Sequence, residues 1–171
     1  SAGARVMTAT AANGLALMIE IVYIASSLRL PIVMNVVNRA LSAPINIHCD
    51  HSDSMMCRDT SWIQLYSENP QEVYDNTIVA MKLAENEKVH LPVMVCQDGF
   101  ITSHSVEKVD VLEDQKVKGF VGDHKACYPL LDVGNPVTYG PLDLFDYYFE
   151  HKRQERDVMT HVFNTFEKVS S

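Results

Sequence analysis

The run from Pro31 to Asn38 is apolar, rich in β-branched residues and followed at once by an arginine, Arg39. A strand that helices cover on both faces of a parallel sheet reads as such a continuous run. In open α/β sheets, ligands bind beyond the carboxyl ends of the strands. The run therefore predicts a buried parallel strand, with Arg39 at the sheet edge where a binding site is expected.

Strand-like and helical segments alternate along the chain, as they do in proteins with a parallel sheet. Strand-like runs are separated by stretches in which apolar residues recur every three or four positions, as they do on the buried face of a helix. The strand-like runs lie at 6–10, 31–38, 61–66 and 91–96, and the helical stretches at 14–28 and 69–87. A strand, a helix and a second strand in this order join as parallel neighbours. The chain is therefore predicted to be an α/β protein with a parallel sheet flanked by helices.

Two dipeptides and one long polar stretch predict the connections. Asn69 followed by Pro70 is typical of a helix start, with a capping residue and a proline in the first turn. Asn13 followed by Gly14 predicts a loop or a helix cap. The stretch 39–60 is predicted to be a loop.

The character of the sequence changes near residue 105, where charged and apolar residues mix and glycine and proline recur. Recurring glycine and proline interrupt helices and strands, so this part of the sequence predicts an extended arm. Helical periodicity returns over 142–169, with an apolar stripe beside a charged face. We therefore expect an α/β domain at 1–108, followed at 109–171 by a linker arm and a C-terminal helix.

Composition argues against two classes of partner. The formal net charge is −8 and no Lys/Arg cluster is present, which disfavours binding to the phosphate backbone of nucleic acids. No apolar stretch reaches the roughly 18 residues of a membrane span, so no membrane partner is expected. Four cysteines without a C-x-x-C pair indicate reduced thiols and a cytoplasmic protein.

Several short segments, in sequence order, carry a resemblance to a known family. They are Thr8-Ala-Thr10, Gly14-Leu-Ala-Leu-Met18, Arg29-Leu-Pro-Ile-Val-Met34, Asn38-Arg39-Ala-Leu-Ser-Ala-Pro44, Asp50-His51-Ser-Asp53, Arg58-Asp-Thr60 and Gln97-Asp-Gly-Phe-Ile-Thr-Ser-His104. Together they resemble the alpha subunit of pyruvate (2-oxoacid):ferredoxin oxidoreductases. The resemblance runs from residue 1 to about residue 104 and continues more weakly over 140–148.

The resemblance implies the pyrimidine-binding domain of a thiamin-diphosphate enzyme, incomplete at its N-terminus and followed by a second domain beyond this chain. Such an enzyme oxidatively decarboxylates a 2-oxoacid, pyruvate in our interpretation, to acyl-CoA and reduces ferredoxin. In the family, thiamin diphosphate is shared with a partner, and Mg and iron–sulfur clusters lie on other subunits of a hetero-oligomer. The glutamate that activates the cofactor lies upstream of Ser1. We therefore assign no catalytic residue to this chain and expect no activity from it alone.

The resemblance places substrate recognition at Asn38 and Arg39. A guanidinium is always charged, and its planar fork can hold both oxygens of a substrate carboxylate. The alternative is a surface arginine that pairs with Asp50 or Asp53, since exposed ion pairs often have no function.

Asp50, His51 and Asp53 are expected to form a polar rim of the same cleft or to contact a partner subunit. Together with His48 they could suggest a metal site, but their spacing fits no closed zinc pattern and hard cations prefer more carboxylates. No metal ligand is therefore assigned. His104 is a possible acid or base, although a lone histidine in a loop is more often structural.

Thr10, Asn13 and Gly14 are the candidates for cofactor contact. A glycine lets a ligand approach the backbone closely, and the start of the following helix offers free N–H groups. Relatives commonly read Thr-Ser-Ser-Gln-Gly here, whereas this chain has Ala11 and Ala12, which can make only backbone contacts. The alternative is that Asn13 merely caps the helix.

Two other functions stay open at this stage. The missing glutamate and the departure at Ala11 and Ala12 are compatible with a non-catalytic subunit or interaction module of the same fold. A transketolase-like enzyme that acts without ferredoxin is the weaker alternative, because the motif at 38–43 argues against it.

Overall fold

Four parallel strands form one sheet in the computed structural model, which describes residues 2–170. The strands are β1 (Val6–Thr10), β2 (Ile32–Asn38), β3 (Ile63–Ser67) and β4 (Val93–Asp98). Their spatial order is β1-β2-β4-β3, and every neighbouring pair is parallel. The predicted fold class, a parallel sheet flanked by helices, is confirmed.

Helices follow each strand and cover the sheet. They are α1 (Ala12–Leu17), α2 (Ile19–Ser27), α3 (Ser52–Met55), α4 (Pro70–Ala84), α5 (Asp114–Val121) and α6 (Tyr148–Ser170). The predicted start of α4 is confirmed, because Asn69 Oδ1 accepts a hydrogen bond from the Glu72 N–H at 2.9 Å and Pro70 is the first helical residue.

Three elements differ from the sequence-based expectation. The helix predicted at 14–28 is divided at Met18, whose backbone angles of −99° and 12° depart from the helical values. The predicted loop at 39–60 contains the short helix α3, and the predicted arm contains α5. Each of these helices is too short to show a clear apolar period, so pattern alone does not reveal it.

Strand β2 lies at the centre of the sheet and is buried on both faces. On one face, Met34 and Val36 pack with Leu15 of α1 and Val22 of α2. On the other face, Val33 belongs to a second cluster that includes side chains of α4 and α6. Each fully buried aliphatic side chain contributes about 1.5–3 kcal/mol. The continuous apolar run of β2 is therefore explained by its two covered faces.

Strand β1 forms one edge of the sheet. Among the strands of the described region it pairs only with β2, from Val6 opposite Ile32 to Thr10 opposite Val36. Val6 and Met7 are 45% and 58% exposed. The outer side of β1 therefore presents unpaired backbone groups beside apolar side chains.

Helix α6 returns to the sheet domain. Its residues Val158, Val162 and Phe166 pack against the second core cluster, which includes Leu83 of α4. The residues between α5 and α6 instead expose many apolar side chains, and Phe145 is 98% exposed. The predicted division between 1–108 and 109–171 stays a prediction.

Two features are lacking in the described part of the chain. None of the helices within residues 2–170 is both long enough and apolar enough to cross a membrane. Within the same range, no three His, Cys, Asp or Glu side chains gather as a metal site requires.

The four cysteines are free thiols, of which Cys49 and Cys127 are exposed and Cys57 and Cys96 are buried.

Replacing Leu83 with Ala in the full-length protein is expected to lower the free energy of unfolding by about 2–5 kcal/mol. Leu83 is fully buried within the second core cluster, so the truncation leaves a cavity. Leu17→Ala removes the same atoms from an 89% exposed side chain and is expected to change stability by less than about 0.5 kcal/mol. Denaturant titration followed by circular dichroism measures both variants, and equal effects would contradict the assigned core.

Thiol reactivity provides a second test of the core. Burial raises the pKa of the Cys57 thiol to about 11 and that of Cys96 to about 12. Because alkylation requires the thiolate, iodoacetamide at about pH 8 should modify Cys49 and Cys127 in the folded protein and spare the two buried thiols. Peptide mass spectrometry locates the modified residues, and all four should react in denaturant. Rapid modification of Cys96 in the folded protein would show that the sheet is not covered as described.

Candidate functional site

Three segments meet at the carboxyl edge of the sheet, and the site residues predicted from the sequence lie within them or at the adjoining strand ends. They follow β1, β2 and β4, whose ends are aligned by parallel pairing: Thr10 lies opposite Val36, and Asn38 lies opposite Asp98. Helix α3 contacts both α1 and β2 at this edge. This is the edge at which open parallel sheets bind ligands.

Arg39 extends from the end of β2 with an unpaired guanidinium. Its backbone N–H donates to Asp53 Oδ2 at 3.1 Å. Its guanidinium forms no ion pair with any acidic side chain in the described part of the chain. The alternative in which this side chain pairs with Asp50 or Asp53 is therefore wrong. An unpaired guanidinium keeps its full capacity to bind a carboxylate through two parallel hydrogen bonds.

Gly99 brings the end of β4 against Arg39. A Cβ at this position would overlap the carbonyl oxygen of Asn38 and would lie 2.7 Å from Arg39 Cγ. The Gly99 N–H donates to the same Asn38 oxygen at 2.9 Å. The absence of a side chain at Gly99 therefore lets the two loops contact each other and confines the stem of the arginine.

The assignment of Asn38 to substrate binding needs correction, because its side chain is fully buried. The alternation of β2 places it on the same face as Met34 and Val36, beneath α3. Its Nδ2 donates to Asp53 Oδ1 and to Ser54 Oγ, both at 2.8 Å. Asn38 therefore supports the residues behind the cleft.

Asp53 also departs from the expectation, since it is fully buried and does not line a rim. Its Oδ2 accepts from the N–H groups of Ala12 at 2.9 Å and Arg39 at 3.1 Å. Its Oδ1 accepts from Asn38 Nδ2 at 2.8 Å and from the Ser54 N–H at 2.7 Å. These donors replace the hydration that a buried carboxylate loses. Asp53 therefore joins the loop after β1, the end of β2 and α3.

Asp50 and His51 lie closer to the surface of this edge. Hydrogen bonds from the hydroxyl and backbone N–H of Ser52 lower the pKa of Asp50. His51 Nε2 lies 2.9 Å from Asp98 Oδ1, and the His51 ring meets the Tyr66 ring edge-on with centroids 5.2 Å apart. Both Asp50 and His51 stay candidates for a cleft rim or a subunit interface.

The turn from β1 into α1 brings Thr10, Asn13 and Gly14 together. A Cβ on Gly14 would lie 2.7 Å from Thr10 Oγ1, so the hydroxyl occupies space that only a glycine leaves open. Asn13 Nδ2 donates to Ser42 Oγ at 2.9 Å, and Asn13 Oδ1 accepts from the Ser42 N–H at 3.3 Å. The N-cap of α1 is Ala11, without a side-chain hydrogen bond. The alternative in which Asn13 only caps this helix is therefore wrong.

Sequence analysis missed a set of polar contacts behind His51. Ser54 Oγ and Tyr66 OH are 2.9 Å apart, the Tyr66 hydroxyl donates to Gln64 Oε1 at 3.0 Å, and Gln64 Nε2 donates to the Ser54 carbonyl at 2.9 Å. Burial raises the pKa of Tyr66. Strand alternation could have placed Gln64 and Tyr66 on one face. No local pattern indicates that Ser54 meets them there.

His104 lies in the turn after β4 beside other aromatic rings. Its Nδ1 is 2.9 Å from Ser103 Oγ, and its ring is tilted against Phe100 with centroids 5.3 Å apart. Phe100 also contacts the His48 ring, at 4.5 Å between centroids. These contacts favour the structural interpretation of His104.

Comparison with known proteins identifies the family and supports the parallel-sheet fold. Residues 1–171 match the family described as pyruvate flavodoxin/ferredoxin oxidoreductase, thiamine diphosphate-binding. The chain belongs to this family. Among curated relatives, the pyruvate synthase subunit PorA of Thermotoga maritima is 65% identical over 170 residues, which is 99% of this chain. PorA of Methanocaldococcus jannaschii is 53% identical over 157 residues, or 92% of this chain.

The chain spans about two fifths of these relatives, with 43% of the T. maritima subunit and 40% of the M. jannaschii subunit. A solved structure of 2-oxoglutarate:ferredoxin oxidoreductase from Magnetococcus marinus, with 2-oxoglutarate, coenzyme A and succinyl-CoA bound, is also similar. It has a TM-score of 0.67 at 20% sequence identity and covers 95% of this chain and 34% of that chain. At this identity the likeness concerns the fold.

Gly99→Ala is expected to lower the free energy of unfolding of the full-length subunit by about 1–3 kcal/mol, because the added methyl group forces the ends of β2 and β4 apart. Gly119→Ala is the matched control: it lies in α5 with no other atom within 4 Å of the added Cβ. This control should keep or raise stability, by up to about 1 kcal/mol. Denaturant titration compares the two variants, and equal stability would show that Gly99 is not a close-contact position.

Proposed function

We propose that this chain supplies substrate recognition and the pyrimidine side of the thiamin site in a 2-oxoacid:ferredoxin oxidoreductase. The observation that carries the proposal is the guanidinium of Arg39 at the carboxyl edge of the sheet, which pairs with no acidic side chain of residues 2–170. Its backbone and side-chain stem are held by Asp53 and Gly99, so its charge is oriented before a substrate arrives. Family membership supports the same assignment.

Arg39 is proposed to bind the carboxylate of the 2-oxoacid. A bidentate guanidinium–carboxylate contact sets both the position and the orientation of a small planar acid. Bound thiamin diphosphate supplies the electron sink that decarboxylation of a 2-oxoacid requires. In this proposal Arg39 holds the substrate so that the substrate carbonyl carbon faces the cofactor. Arg39 thus contributes by positioning the substrate.

The loop after β1 fits the proposed contact with the aminopyrimidine ring. Thr10 offers a hydroxyl, Asn13 an exposed amide and Ser42 a second hydroxyl, while Gly14 leaves the room that the Thr10 hydroxyl occupies. These are neutral donors and acceptors, which suit the ring nitrogens and amino group of a pyrimidine. As the resemblance to the family implies, we assign the diphosphate and its Mg to a partner.

Pyruvate is the proposed substrate. The two relatives with the highest identities cited above, at 65% and 53%, are both named pyruvate synthase subunits. Two ketoisovalerate oxidoreductase subunits, from Pyrococcus abyssi and Pyrococcus horikoshii, are 43% and 45% identical. A branched oxoacid carries the same carboxylate for Arg39, so the choice between them depends on the pocket around the substrate side chain.

The active unit is proposed to be a cytoplasmic hetero-oligomer. Other subunits would supply the iron–sulfur clusters, and coenzyme A and ferredoxin would react with the complex as a whole. Pyruvate synthase subunits as relatives support such an assembly, since they are named as subunits. The free thiols are compatible with a reducing compartment. The chain would have no activity on its own.

Arg39→Leu in the assembled complex is expected to lower kcat/KM for pyruvate by about 10²–10³-fold, chiefly through KM, because the substrate carboxylate loses its charged partner. Arg39→Lys should give an intermediate loss, since an ammonium group keeps the charge but not the bidentate fork. Pyruvate-dependent ferredoxin reduction measures both variants.

Arg153→Leu is the control for this test, because Arg153 lies on the exposed face of α6 and pairs with Asp157 of the same helix, at 3.5 Å. It should leave kcat/KM unchanged. An Arg39→Leu complex with the turnover and pyruvate affinity of the wild type would reject substrate recognition and would favour the alternative of a non-catalytic interaction module.

A further inference from the structure

A single oxygen atom joins the two loops that the proposed function assigns to different ligands. Asp53 Oδ2 accepts from the Ala12 N–H, in the proposed cofactor loop, and from the Arg39 N–H, at the proposed substrate site. Ala12 and Asp53 are separated by 41 residues in the chain. The two loops therefore share one acceptor.

The other oxygen of the carboxylate keeps Asp53 in place. Asp53 Oδ1 accepts from Asn38 Nδ2 and from the Ser54 N–H. Asn38 Nδ2 also reaches Ser54 Oγ, which lies 2.9 Å from the hydroxyl of Tyr66. The carboxylate has no exposed surface and forms no ion pair with a described cation. Its position is therefore determined by these contacts on both sides.

We propose that Asp53 is a positioning residue that couples the two halves of the site, so that affinity for thiamin diphosphate and affinity for the 2-oxoacid change together. The inference deepens the proposed function and rests on it. Displacement of Oδ2 moves the Ala12 backbone and the Arg39 backbone in one event, because both N–H groups depend on it. A rigid link of this kind keeps the substrate carboxylate in register with the cofactor.

Asn is the most informative replacement because it has nearly the shape of Asp. Each carboxylate oxygen of Asp53 accepts from two donors. An Asn side chain presents one oxygen and one NH₂ group, so either orientation turns an NH₂ group toward two N–H donors. Asp53→Asn therefore breaks one side of the link while the volume of the buried group is kept.

The test uses the assembled complex that contains the full-length subunit. The dissociation constant for thiamin diphosphate is measured by titration of the cofactor-depleted complex, and KM and kcat for pyruvate are measured at saturating cofactor. Asp53→Asn is expected to raise both the dissociation constant and KM by about tenfold or more, with a smaller change in kcat. Asp59→Asn, at a 73% exposed side chain that pairs with Arg58 at 3.6 Å, is the matched control and should change neither.

A second variant keeps the test decisive if Asp53→Asn prevents assembly. Asn38→Ala removes one donor to Oδ1 and leaves both contacts of Oδ2, so it should shift the two constants in the same direction by a smaller factor. A shift in only one of the two constants, or lower thermal stability with both constants unchanged, would overturn the coupling.

The combination with Arg39→Leu separates failure of this inference from failure of the proposed function. Arg39→Leu alone should raise KM for pyruvate and leave cofactor affinity unchanged. In the Arg39→Leu background, Asp53→Asn should still weaken cofactor binding but add little to KM. If Arg39→Leu does not change KM, the proposed function fails. If Arg39→Leu raises KM but Asp53→Asn does not shift both constants, only the coupling fails.

Discussion

The parallel pairing of β2 with β4 determines where the candidate site forms. The two strands are paired from Val33 opposite Val93 to Asn38 opposite Asp98, and helices cover both of their faces. Since the strands end at the same level, the residues that follow them must share a narrow space. Gly99, directly after β4, has no side chain, and the stem of Arg39 occupies the space that a side chain there would need.

A buried carboxylate without a neighbouring cation is expensive to bury unless hydrogen bonds replace its hydration. At this sheet edge the donors are backbone N–H groups and the Asn38 amide. They include the N–H of Ala12, at the start of a helix whose N-cap makes no side-chain hydrogen bond. The same hydrogen bonds therefore avoid two costs: that of burying Asp53 without partners and that of leaving those N–H groups unpaired. Within residues 2–170 the guanidinium of Arg39 also has no acidic side chain as an ion-pair partner, which favours an anionic ligand.

The sheet was predictable because β2 and β4 are buried on both faces, and a run such as 31–38 has few alternatives to a central parallel strand. Arg39 was predictable at the edge for the same reason. The roles of Asn38 and Asp53 were not predictable. Polar residues beside a predicted cleft form the same sequence pattern whether they face a ligand or hold the cleft from behind. The bond between Ala12 and Asp53 spans 41 residues, and no local pattern contains it. The four-residue α3 likewise has no periodicity that a sequence could display.

Strand β1 has a practical consequence for anyone who prepares this region by itself. Its outer side carries unsatisfied amide and carbonyl groups next to two apolar side chains, Val6 and Met7. Such a border acts as a template on which another polypeptide can add a strand. A recombinant fragment limited to these residues would thus tend to self-associate and precipitate, and charged substitutions on that border would be the rational way to keep it in solution.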